Sequence, residues 1–161
     1  MAVDRQMIEF TPADIDEVVE QVAVVIERGD GWLNIEPIVG EVAMDEIRRS
    51  APPAIVRVFS GRGGKIPFGT FVPGDHRKAG LGQVGLEHSA GPRGLQQLRD
   101  AGVALPAGWR MRQDHGRRGI VCDVPRDEHP GVIVRWIVDA SLQLCEIDLT
   151  GWWTAVISSP K

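Results

Sequence analysis

The chain has no tyrosine and only two cysteines, Cys122 and Cys145, in 161 residues. Two thiols cannot build a disulfide framework, and neither has a neighbour at zinc-ligand spacing, so both are expected to be reduced and mostly buried. No apolar run approaches the roughly 18 residues a membrane span requires. The longest uncharged stretch, Leu149 to Pro160, falls well short. The opening MAVDRQMIEF lacks the apolar centre of a secretory signal. A cytoplasmic protein with no membrane contact is therefore the expectation. An excess of basic residues is missing too: the formal charge is -4, which makes a dedicated nucleic-acid binder unlikely. Lysine is scarce, since 15 of the 18 basic residues are arginine.

What is present fits a single globular domain spanning 1–161. Apolar residues make up 43% and charged residues 25% of the chain. A domain of about 150 residues buries roughly 68 to 70% of the surface its unfolded chain exposes, so neither metal nor disulfide is needed to hold it. The charge is unevenly spread. Met1 to Val56 holds 12 acids and 4 bases (-8), Arg57 to Arg118 holds 4 acids and 11 bases (+7), and the remainder holds 6 acids and 3 bases (-3). Such asymmetry marks an anion-binding face or, more commonly, acidic and basic segments that face each other in the fold.

Periodicity predicts the elements. Thr11 as N-cap, Pro12 at N1 and the spacing of Ile15, Val18, Val19, Val22 and Ile26 predict a helix that Gly29 stops. Trp32 to Val39 reads as a strand, and Pro37 within it predicts an edge position. Glu41 to Arg49 fits a short helix. Ala54 to Ser60 and Lys65 to Val72 read as a hairpin around Gly61-Arg62-Gly63-Gly64. Pro92 opens a helix carrying Leu95 and Leu98, closed by Gly102. Between Pro130 and Glu146 strand-like alternation competes with the helical spacing of Ile133, Trp136, Ile137, Ala140 and Leu144, and length decides for helix. Trp152 to Ser158 closes as a strand. The prediction is one α+β domain: a largely antiparallel sheet of about five or six strands with two or three helices.

The most legible stretch is Gly108 to Pro125, GWRMRQDHGRRGIVCDVP, a hairpin turning at Asp114-His115-Gly116-Arg117. Alternation puts Trp109, Met111, Gln113, Ile120, Cys122 and Val124 on an apolar face. Arg110, Arg112, Asp114, Val121 and Asp123 fall on the other face, with Asp123 across from Arg110 or Arg112. With Arg117 and Arg118 at the tip, this gives a cluster of exposed guanidiniums able to fork onto phosphate or carboxylate groups.

Gly74 to Gly91 is glycine-rich and reads as a long loop, the length at which loops inside compact domains are functional or disordered. Its Gly80, Gly82 and Gly85 spell GxGxxG, but no strand-to-helix context surrounds them. GRGGK is likewise not a phosphate loop, because Phe59 and Ile66 stand where glycine and serine or threonine are required. No cofactor is assigned. Arg77 and Lys78 of the loop join the Arg cluster as candidate ligand-binding residues.

Every histidine follows an acid: His76, His88, His115 and His129. Imidazoles and carboxylates together suit zinc or iron, yet the spacings of 12 and 27 residues between His76, His88 and His115 match no metal signature. No metal site is assigned, and four surface histidines is the preferred reading. The first functional expectation is a binding or interaction protein that recognises an anionic small molecule or an acidic protein surface through the loop and the Arg hairpin. The alternative is a His-dependent or metal-assisted hydrolase acting on a phosphate-containing substrate, with His115 and His88 as its catalytic residues.

Overall fold

The computed structural model describes residues 2–50, 63–77 and 80–161. Seven strands form one antiparallel sheet: β1 (Val3–Phe10), β2 (Trp32–Pro37), β3 (Phe68–Val72), β4 (Gly82–Glu87), β5 (Arg110–His115), β6 (Gly119–Val124) and β7 (Trp153–Pro160). Their order is β1-β7-β2-β3-β4-β6-β5, so the last strand is inserted between the first two. The helices are α1 (Asp16–Arg28), α2 (Glu41–Ser50), α3 (Gly94–Asp100) and α4 (Pro130–Leu144). The domain is α+β as expected, with seven strands instead of five or six and four helices instead of two or three among the described residues. No helix among the described residues is long and apolar enough to cross a membrane.

Strand alternation builds the core. One cross-strand row runs Ile8, Ala155, Ile35, Gly69, Leu86, Ile120, and the next runs Ile157, Leu33, Phe71, Val84, Cys122. Their side chains are buried under α1 and α4. Each such aliphatic side chain contributes about 1.5 to 3 kcal/mol by leaving water. α4 is apolar nearly all round because it touches the sheet and also α1 and α3. It crosses the sheet at Gly69, where a Cβ would collide with Ile137. His129 caps its start by accepting a hydrogen bond from the Gly131 N–H at 3.0 Å. The helical reading of this segment is thus correct.

Several expectations are overturned. α1 begins at Asp16 and not at Pro12, because Thr11 to Asp14 first close a turn through Asp14 N–H to the Thr11 carbonyl, 3.0 Å. Its end is as expected, with Gly29 in the left-handed region at φ 68°. β2 is interior, between β7 and β3. Pro37 is tolerated there because it is the final residue and pairs only with Trp153 of β7, beyond the Leu33–Ile35 stretch that meets β3. Gly74 to Gly91 is no single loop, since β4 occupies its middle and is paired on both sides. Its alternation of buried Val84 and Leu86 with Gln83 and Glu87 was hidden by glycines. Both edges of β3 are taken by β2 and β4, so Phe68–Val72 is not the second arm of a hairpin with the preceding segment. The strand read at Ala54 to Ser60 lies outside the described residues.

Candidate functional site

β5 is an edge strand, and the hairpin it forms with β6 contains an irregularity that re-sorts its side chains. Arg110 pairs with Asp123 and Met111 with Cys122, after which the register slips so that Gln113 pairs with Val121 and Asp114 with Ile120. The strict alternation expected there is therefore corrected. The bulge turns Gln113 to the open face and Asp114 to the covered one.

Both changes have consequences. Asp114 accepts hydrogen bonds from the backbone N–H groups of Gly94 and Leu95, each at 3.0 Å, and so caps α3 from the neighbouring strand. Arg112 donates through Nε to Asp123 and forms an ion pair with it. Asp123 is buried, and Gln83 donates a further hydrogen bond to it at 3.3 Å. Arg112 thus anchors a buried carboxylate and cannot be replaced as freely as its exposed position on the strand implied.

Capping by Asp114 fixes α3 alongside β5 and leaves a groove of about 550 Å³, lined by Arg93, Leu95, Gln96, Arg99, Leu105, Met111 and Asp114. Its floor is apolar, from half-buried Leu95 and Leu105 to Met111, which is 56% exposed where the sheet ends. Arg93 and Arg99 stand at the two ends of α3, roughly 9 Å apart along the axis at 1.5 Å per residue. Arg93 is the non-glycine residue with positive φ among those described, at 60°. Left-handed backbone at such a residue costs about 1 to 2 kcal/mol. Neither Arg93 nor Arg99 was singled out in the sequence. The available signal was their place flanking a short helix that leads directly into the Arg hairpin.

Arg110 is exposed on the other side of β5, and Arg117 and Arg118 are exposed at the hairpin tip. The carboxylates nearby are already engaged. Asp114 holds α3, Asp123 holds Arg112, and Asp100 accepts from Gln96 at 2.8 Å. The acidic segment at residues 2–50 supplies β1, α1, β2 and α2, whereas the basic segment supplies β3, β4, α3 and β5. They lie side by side along the sheet, with the basic segment at the β5 edge and the acidic one at the β1 edge. The ion pairs seen between described residues, Arg28–Asp30, Arg48–Asp45 and Arg112–Asp123, do not join the two segments. Along the sheet the described parts of the two segments form a charge gradient.

The loop residues do not join this site. β4 runs antiparallel to β6 with Gly82 opposite Val124 and Leu86 opposite Ile120, which puts the β3–β4 turn at the end of the sheet away from the 115–119 turn. Arg77, exposed in that turn, is separated from the hairpin tip by the length of β4, about 20 Å. Lys78 lies outside the described residues.

The histidines do not converge either. His76 bonds the Ile26 carbonyl at 2.8 Å and Arg126 at 2.6 Å, tying the β3–β4 turn to the end of α1. His115 is exposed, and its Nδ1 accepts from the N–H groups of Arg117 and Arg118, each at 3.1 Å, which orders the hairpin turn. His88 is not a surface histidine: it is 0% exposed. Its Nδ1 accepts from the Ala90 N–H at 3.1 Å, and its Nε2 has no partner among the described residues. Burial pushes its pKa below the usual imidazole value, against the pull of Asp114 and Glu146. Among the described residues no three His, Cys, Asp or Glu side chains are placed to hold a metal ion. The Cys122 thiol, which burial pushes up to about 12, is no nucleophile at neutral pH.

A larger cleft, about 650 Å³, lies between α2 and residues 146–150, but its charged lining is Glu46, Glu146 and Asp148 against Lys65. Of these two, the β5 groove is the one with arginines and a single carboxylate in its lining. Compared with known proteins, the chain matches no family model, and no curated protein or solved structure is significantly similar to it.

Proposed function

We propose that this protein is a binding module that recognises an acidic protein segment in the groove between α3 and β5. The observation that carries this reading is the groove's construction: an apolar floor of Leu95, Leu105 and Met111 between Arg93 and Arg99. Arg110 stands on the far side of the strand. None of these three guanidiniums has a hydrogen-bond or ion-pair partner among the described residues, so no internal acid competes for them. Arginines set roughly 9 Å apart along the α3 axis, with an apolar floor beside them, suit an apolar anchor residue flanked by Asp or Glu better than a single compact phosphate. The bulge at Arg112 breaks the regular edge, so recognition runs through side chains and not through an added strand.

The hydrolase reading has weaker support. His115 is engaged by the turn it orders, His88 is enclosed, and neither lines the groove.

The test is fluorescence anisotropy with a labelled peptide carrying Leu between Glu residues, beside a Gln-for-Glu control peptide. Binding should be selective for the acidic peptide and weaken with salt. Joint Arg93→Ser and Arg99→Ser substitution should remove about 1 to 3 kcal/mol of it while the melting curve is retained. Equal binding of both peptides, or an unaltered affinity in the double variant, overturns the reading.

A further inference from the structure

The two edges of the sheet are built differently. β5 is bulged and backed by α3. β1, at the opposite edge, pairs with β7 without interruption over eight residues, Val3 opposite Pro160 through Phe10 opposite Trp153. Among the described residues its outer backbone edge faces no other strand. A long, regular edge is a template for another strand, and proteins that avoid such pairing interrupt it with proline, a bulge, a short strand or charged side chains. β1 has no proline or bulge and is eight residues long, and its charges are Asp4, Arg5 and Glu9. It also presents Met7 at 69% exposure on the open face of the sheet.

We propose that β1 pairs antiparallel with β1 of a second copy of this chain, about a twofold axis at Met7. Symmetry and strand period restrict the registers, because a continuous sheet must bring residues of the same face opposite each other. A twofold at Arg5 sets Arg5 against its own copy. A twofold at Gln6 sets Arg5 against Met7 of the second copy. A twofold at Met7 sets Met7 against Met7 and, on either side of it, Arg5 against Glu9 and Glu9 against Arg5. That register is self-complementary in charge and encloses the exposed methionine between two opposite-charge pairs. On the covered face it places Gln6 against Ile8 and Asp4 against Phe10. Arg5 and Glu9 are exposed and have no hydrogen-bond or ion-pair partner among the described residues, so both are available.

The product is a continuous sheet of twice seven strands with the two β5 edges at its far ends. Edge-to-edge pairing buries less than a standard interface, so dissociation in the micromolar range is expected.

The experiment is sedimentation velocity on the full chain from about 1 to about 200 µM, a span that brackets such an affinity. The wild type should pass from monomer to dimer. Arg5→Glu alone and Glu9→Arg alone should each raise the dissociation constant about tenfold or more, because each replaces two attractive pairs with two repulsive ones. The double variant Arg5→Glu/Glu9→Arg restores opposite charges in the same register and should recover dimerisation. Met7→Lys, which sets two cations together at the axis, should abolish it. Circular dichroism and melting should be unchanged in all four, since these side chains are exposed. A wild type that stays monomeric throughout overturns the proposal. A dimer indifferent to the single charge reversals, or one not recovered in the double variant, overturns it equally.

Discussion

Acidification should destabilise this protein through His88 before its carboxylates begin to titrate. The ring is wholly enclosed, with Nδ1 already accepting from Ala90 and Nε2 facing the start of α3 near Gly94. Charging it requires placing a cation where no water reaches, and this cost of burial outweighs the attraction of Asp114 and Glu146. The folded-state pKa therefore lies below the unfolded value of 6.5. Below that pH the unfolded chain binds the proton that the folded chain refuses. The stability contributed is whole above about pH 6.5 to 7 and declines as pH falls towards the folded value, by at most about 1.4 kcal/mol per pH unit. Out of a total of roughly 5 to 15 kcal/mol this is a visible share. The assay is urea unfolding at pH 7.5, 6.5 and 5.5, on the wild type and on His88→Asn. The asparagine carbonyl can take over acceptance from Ala90 but does not titrate. Its lower baseline, from the smaller side chain, cancels in the pH slope, as do the carboxylates common to both proteins. Between about pH 6.5 and 5.5 the wild type should lose up to about 1.4 kcal/mol more than the variant. Coincident slopes would refute the assignment of His88 as a buried neutral ring.

Two further substitutions probe the groove and the open face. Asp114→Asn keeps the shape but turns one acceptor into a donor aimed at the α3 N–H groups; a loss of about 1 to 2 kcal/mol in urea unfolding is expected, with weaker binding of the acidic peptide. Arg112→Ser should cost about 1 to 3 kcal/mol by leaving buried Asp123 with Gln83 alone, whereas Arg110→Ser, which removes an exposed guanidinium without a partner, should leave the melting temperature within error. Equal melting temperatures for these two variants would show that the Arg112 to Asp123 pair does not support the fold.

Hydrophobic period alone made most of the architecture legible. Trp153, Ala155 and Ile157 alternate into the core as their spacing indicates, and Val18 and Val22 of the expected α1 stripe are buried, with Val25 buried where Ile26 was expected. Reading failed where local signals compete with tertiary position. Glycine in β4 looked like loop chemistry because composition carries no record that Gly82 is pressed against Phe71, where a Cβ would sit 3.1 Å from the ring. Pro37 looked like an edge marker because the sequence does not say where the neighbouring strand stops pairing. The hairpin and the exposure of Arg110, Arg117 and Arg118 were legible. The groove beside it, rimmed by Arg93 and Arg99, was not, because it depends on a one-residue bulge that turns Asp114 under the sheet edge to seize α3. A bulge leaves no mark on binary pattern beyond one misplaced polar residue.

The strand order places the acidic early chain at one end of the sheet and the basic middle of the chain towards the other. Had the two segments alternated across the sheet, their charges would have paired locally and an acidic ligand would have met a neutral surface. Among the described residues Arg93, Arg99 and Arg110 have no acidic partner, beside an edge that a bulge interrupts. At the other edge the backbone is regular, and Arg5 and Glu9 are spaced to match a copy of themselves. Pairing through β1 would bury the acidic end against its like only in the register where those two residues alternate in sign. The same pairing leaves both basic grooves outermost. If both proposals hold, such a dimer would bind a tandem acidic partner with the advantage of two linked sites when the partner's linker spans the joined sheets, and with none when it is shorter.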